Sequence, residues 1–89
     1  MQRLQLDMAV ADGLDDLRHA RRKAALGQYE EAAVLFTSTL RFLSKLLDDH
    51  PRDPAILEAR QCIESELDAA MQAQQQLESL KVRAQAVYL

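Results

Sequence analysis

The sequence has no tryptophan, two glycines, two prolines and one cysteine in 89 residues, and aromatic residues make up only 4% of it. So few glycines and prolines leave little turn chemistry for a sheet, and a core drawn from Leu, Ala, Val and Ile points to helices. With Cys62 alone, no internal disulfide can form, which favours a reducing compartment. Nothing basic adjoins Cys62 to activate the thiol, so it is expected to pack as a small apolar residue. No apolar run nears the roughly 18 residues of a membrane span. Near the N-terminus, Asp7 stands where a secretory signal is apolar, so the chain is expected to be soluble and cytoplasmic, with no membrane insertion.

Chemistry is missing as well. There is no GxGxxG, Walker lysine loop, nucleophile elbow or HExxH. His19 and His50 sit on different elements without a second ligand at metal spacing, and Asp48, Asp49 and Asp53 lack the alternation and the glycine of a calcium loop. No catalytic, metal or cofactor site is expected. At 48% hydrophobic the chain is long enough for one core, but not for an enzyme fold with a deep cleft.

Charge of one sign is not in large excess. The net charge of −3 argues against nonspecific nucleic-acid binding, and no nucleic-acid partner is expected. Residues 1–47 hold seven Lys or Arg against six acids, and residues 48–89 hold four against eight, so the first half carries most of the positive charge.

What is present is helical periodicity arranged about one corner, Leu26-Gly27-Gln28-Tyr29. Gly27 can take the positive φ that ends a helix, and Tyr29, Ala32, Ala33 and Phe36 then recur at helical spacing. Ala32 and Ala33 are expected to let the second helix approach the first closely, with Tyr29 and Phe36 filling the space above and below.

Upstream, Asp12 is a candidate N-cap and Asp15 and Asp16 suit a first turn, so a first helix is expected from about Gly13 to Leu26. Its inner stripe reads Leu14, Leu17, Ala20 or Arg21, Ala24 and Ala25, with Arg18, Arg22 and Lys23 outside. Residues 1–12 are either a helical extension or an arm.

The second helix is expected from Tyr29 to Asp48 or Asp49, ended by Pro51. Tyr29, Ala32, Ala33, Phe36, Leu40, Leu43 and Leu47 form one apolar stripe, and Leu35, Phe42 and Leu46 widen it to a second face. Such a helix is buried on two sides and belongs in the middle of a bundle. Asp53-Pro54 offers an N-cap followed by proline at the first helical position. From there Ile56, Ala59, Ile63, Leu67, Ala70, Met71, Leu77 and Leu80 keep the period for about 25 residues, roughly 38 Å, so the third helix should overhang its neighbours. Gln74-Gln75-Gln76 reads as a solvated face, and residues 82–89 as helix continuation or the start of a linker. Ending on an overhanging helix, the chain is expected to belong to a longer protein. The fold class expected is all-α, an antiparallel three-helix bundle over residues 13–81.

Two surfaces are candidates for partners. Arg18, Arg21, Arg22, Arg41 and Lys45, with Lys23, suit an acidic surface, unless Arg41 and Lys45 pair with Asp12, Asp15 and Asp16. Leu35, Phe42 and Leu46 are either exposed to a partner or face the third helix.

The run Gly27, Tyr29, Ala32, Phe36 is similar to the corner of a tetratricopeptide unit, but no second copy follows at about 34 residues. One such hairpin plus a long third helix resembles the MIT (microtubule interacting and trafficking) domain. Ala20-Arg21 through Ala24-Ala25-Leu26-Gly27-Gln28-Tyr29, together with Leu77-Glu78-Ser79-Leu80-Lys81, resembles the N-terminal domain of the catalytic subunit of katanin, the microtubule-severing AAA ATPase. The likeness covers about residues 13–81 and leaves residues 1–12 without a counterpart. It implies a monomeric, non-catalytic recruitment module, associated with the cytoskeleton, that binds the katanin regulatory subunit and the acidic surface of microtubules. The alternative is an MIT domain of an ESCRT-disassembling or spastin-like ATPase that captures amphipathic peptide tails.

Overall fold

Leu26, Gly27 and Gln28 turn the chain between two helices, and the backbone closes as a helix-ending motif that needs glycine. Gly27 has φ +78°. The Gln28 amide donates to the Lys23 carbonyl at 2.9 Å and the Gly27 amide to the Ala24 carbonyl at 3.0 Å, the Schellman pattern. The computed structural model describes the backbone of residues 2–88 and the side chains of residues 13–86. Three helices follow one another: α1 (Gln2–Ala25), α2 (Tyr29–Asp49) and α3 (Pro54–Tyr88). The fold is an antiparallel three-helix bundle.

The second connection is capped as the sequence leads one to expect. Asp53 Oδ1 accepts from the Ala55 amide at 2.9 Å and the Ile56 amide at 3.4 Å, with Pro54 at the first helical position, where a missing N–H costs nothing. α3 then runs for 35 residues, longer than the expected 25, or about 52 Å at 1.5 Å per residue. Past Leu80 the apolar period fades, but Lys, Arg, Gln and Ala propagate a helix without it. The molecule is 63 Å long.

At the other end, α1 is already helical at Asp12, so Asp12 is not its cap. α1 takes in residues 2–12, whose side chains lie outside those described. Gly13, read as a helix start, is instead internal to α1 and buried, because the Phe42 ring lies where a β-carbon would be, 2.5 Å from its Cδ1. The inner stripe of α1 is therefore Gly13, Leu17, Ala20 and Ala24, and Leu14 and Ala25 are exposed, contrary to expectation.

α2 is the middle helix. Every residue of its two apolar stripes is buried or half-buried, and it packs on α1 along one side and on α3 along the other, while α1 and α3 barely meet. Among the described residues the hydrophobic core is built from Ala20, Ala32, Phe36, Leu43, Ile63 and Ala70, of which Phe36 is the one large, fully buried side chain. Burying a Phe contributes roughly 1.5–3 kcal/mol. Around it, the half-buried Leu17, Leu35, Leu40, Phe42, Leu46 and Leu67 supply the remaining apolar contacts.

Four expectations are corrected by the packing. Ala33 lies on the α3 side rather than against α1, since successive residues on a helix are about 100° apart and Ala32 takes the inward position. Met71 is exposed for the same reason, beside the inward Ala70, and Leu80 is exposed although it lies one turn from the half-buried Leu77. Cys62 is exposed. Gln74 is half-buried and donates to Glu30 Oε1 at 3.3 Å and to Glu78 Oε1 at 3.0 Å, so it joins α3 to α2 rather than facing solvent with Gln75 and Gln76.

Candidate interaction surface

Open grooves flank α2, and they follow from which residues the helix period turns outward. On the outer side, Ala33, Val34, Thr37 and Arg41 of α2 face Leu67 and Met71 of α3 across a groove of about 550 Å³. Val34 is 69% and Met71 52% exposed, so its apolar walls are open to a partner. The Thr37 hydroxyl donates to the Ala33 carbonyl at 2.8 Å and so asks nothing of a ligand. Arg41 is the charged group at this groove. An apolar side chain with an acid nearby fits that lining.

Between α1 and α3 lies a second trough of about 290 Å³, lined by Ala24, Tyr29, Phe36, Ala69 and Ala70. Arg21 and Glu66 span it with two parallel hydrogen bonds, Nε to Oε1 at 2.8 Å and Nη2 to Oε2 at 3.1 Å. The hydrogen bond to Glu66, helped by its negative charge, raises the Arg21 pKa above its ordinary value despite some desolvation.

The expected basic group does not form one patch. Arg21 is committed to Glu66 on α3, and Lys23 pairs with Glu31 at 2.8 Å. Arg18 and Arg22 stand one turn apart and exposed on α1, and Arg41 and Lys45 stand one turn apart and exposed on α2. Among the described residues neither Arg41 nor Lys45 pairs with Asp15 or Asp16, and Asp16 accepts from the Ser38 hydroxyl at 3.1 Å instead. Asp12 lies outside the described side chains.

Leu35, Phe42 and Leu46 are half-buried and packed against the core, and Phe42 lies on Gly13 of α1 rather than facing α3. The residues that sequence reasoning passed over are Val34 and Leu67 with the outward Met71. The available signal was Val34 itself, an apolar side chain that falls on neither stripe of α2.

Among the described residues no cluster of three or more His, Cys, Asp or Glu side chains is placed to hold a metal ion, and no helix is long and apolar enough to cross a membrane. Comparison with family models, curated proteins and solved structures returns no match.

Proposed function

We propose that this chain is a non-catalytic recruitment domain of a katanin-like microtubule-severing ATPase, built as an MIT-like bundle. The supporting observation is spatial. The two stretches that bear the resemblance, around Gly27-Gln28-Tyr29 and Leu77-Glu78-Ser79-Leu80-Lys81, are some 50 residues apart in sequence but meet in the fold. Gly27, Gln28 and Tyr29 line one hollow with Gln74, Leu77, Glu78 and Lys81. In this reading the katanin regulatory subunit buries apolar surface beside α2 and α3. Arg18, Arg22, Arg41 and Lys45 make weak, salt-sensitive contacts with the acidic microtubule surface. Weak contacts repeated around an ATPase ring gain by effective concentration.

Calorimetry of this domain with the C-terminal helical domain of a katanin regulatory subunit from the same organism tests the reading. A one-to-one complex supports it. Absence of binding, with the helical circular dichroism signal intact, overturns it. The groove of Val34, Leu67 and Met71 with Arg41 favours a second reading, capture of an amphipathic peptide tail by an ESCRT-disassembling or spastin-like ATPase. Micromolar binding to such tails, without a stable heterodimer, is its signature.

A further inference from the structure

Among the described residues, direct packing between α1 and α3 is sparse. Each lies along α2, but they barely meet. The side chains that flank the trough between them are Ala24 on α1 and Ala69 and Ala70 on α3, and alanines are too short to interdigitate across it. Beneath them lie Tyr29 and Phe36 of α2. The two long side chains in the lining, Arg21 and Glu66, do reach across. Among the described residues, theirs is the sole side-chain hydrogen bond or ion pair that joins α1 to α3. Neighbouring cross-links serve the other seams: Ser38 to Asp16 and Lys23 to Glu31 join α1 to α2, and Gln74 to Glu30 joins α3 to α2.

We propose that Arg21 and Glu66 form a releasable strap, which when closed holds α1 and α3 at a fixed separation and when open lets α1 roll on α2 and widens the trough over Phe36. Two properties of the pair suit this role. Its bidentate fork fixes direction as well as distance, so closure defines one arrangement of the two helices. Its side chains are 54% and 35% exposed, so water, salt or a charged group on a ligand can compete for either end. A deeply buried pair would not release, and a single-bond contact would not orient. Phe36, only 2% exposed with the strap closed, is what release would uncover. The strap does not depend on which partner the domain recruits.

Pulsed electron paramagnetic resonance on the full chain tests the proposal. Spin labels at Ala25→Cys on α1 and Gln72→Cys on α3, both exposed positions, report the separation. Cys62→Ser removes the native thiol, which lies one turn from Glu66. The expected result with the strap intact is a single narrow distance distribution. Glu66→Gln shifts it to longer, broader distances, and the exchange Arg21→Glu with Glu66→Arg restores the narrow one. Raising salt to about 1 M on the intact strap reproduces the Glu66→Gln result by screening. The proposal is overturned if Glu66→Gln superimposes on the intact chain, or if the exchanged pair stays as broad as Glu66→Gln. Should Glu66→Gln lose its helical signal, the salt comparison decides, and an unchanged distribution at high salt then rejects the strap.

Discussion

Gly13→Ala separates helix propensity from packing. At an exposed position inside a helix this substitution stabilises by about 1 kcal/mol, because glycine is the poorer helix former. At Gly13 the new β-carbon would sit 2.5 Å from Cδ1 and 2.6 Å from Cε1 of Phe42, and 3.2 Å from Cγ. Ordinary carbon contacts begin near 3.5 Å, so the ring must move by about 1 Å. Phe42 is a flat plate seated among core neighbours, and such overpacking costs roughly 1–3 kcal/mol. The net expectation is a loss of about 0–2 kcal/mol, opposite in sign to the propensity. Urea unfolding followed by circular dichroism measures it, and the Phe42→Ala background isolates the cause. There the clash is gone, and Gly13→Ala should stabilise by about 1 kcal/mol, a coupling of roughly 1–3 kcal/mol between the two sites. If Gly13→Ala stabilises equally in both backgrounds, the close approach of α1 to Phe42 is wrong.

The other expectations are more local. Gly27→Ala should cost about 1 kcal/mol in chemical denaturation, entirely through the backbone at φ +78°, because its β-carbon meets nothing within 4 Å. Ala32→Leu, at a site with no exposed surface, should cost roughly 1–3 kcal/mol, visible as a lowered unfolding midpoint. Asp53→Ala removes the cap of α3 and should cost about 1 kcal/mol, with faster amide exchange at Ala55 and Ile56 as the local readout. Val34→Asp should leave stability within about 0.5 kcal/mol, since the side chain is exposed. It should weaken partner binding measured by calorimetry if the outer groove of α2 and α3 is the docking surface.

What could be read in advance was whatever rests on local rules. α2 was legible over its whole length because its period, its two apolar faces and its flanking Gly27 and Pro51 all agree, and Asp53-Pro54 carries its cap chemistry in two adjacent residues. α1 was misjudged where local and tertiary demands conflict. Asp12-Gly13 has the composition of a helix start, yet glycine is there to admit the Phe42 ring, a requirement that exists only once α2 is alongside. Gln74 and Met71 show the same limit on α3. Periodicity places them to within about one residue of the inward line, and one residue is about 100° of rotation. The Arg21 to Glu66 link was beyond sequence reasoning altogether, because the two residues are 45 apart in the chain and their helices do not share a packed seam.

The arrangement of α2 between two partners that scarcely touch also bears on how the chain folds. Both extensive seams join helices that are consecutive in the chain, through turns of only a few residues, so little loop entropy opposes either one. Helical topologies dominated by such short-range pairings reach the native state on timescales of about microseconds to milliseconds. α2 takes part in both seams, whereas α1 and α3 each take part in one. Assembly therefore has two possible opening moves, an α1–α2 hairpin or an α2–α3 hairpin, and α2 is the segment that neither can omit.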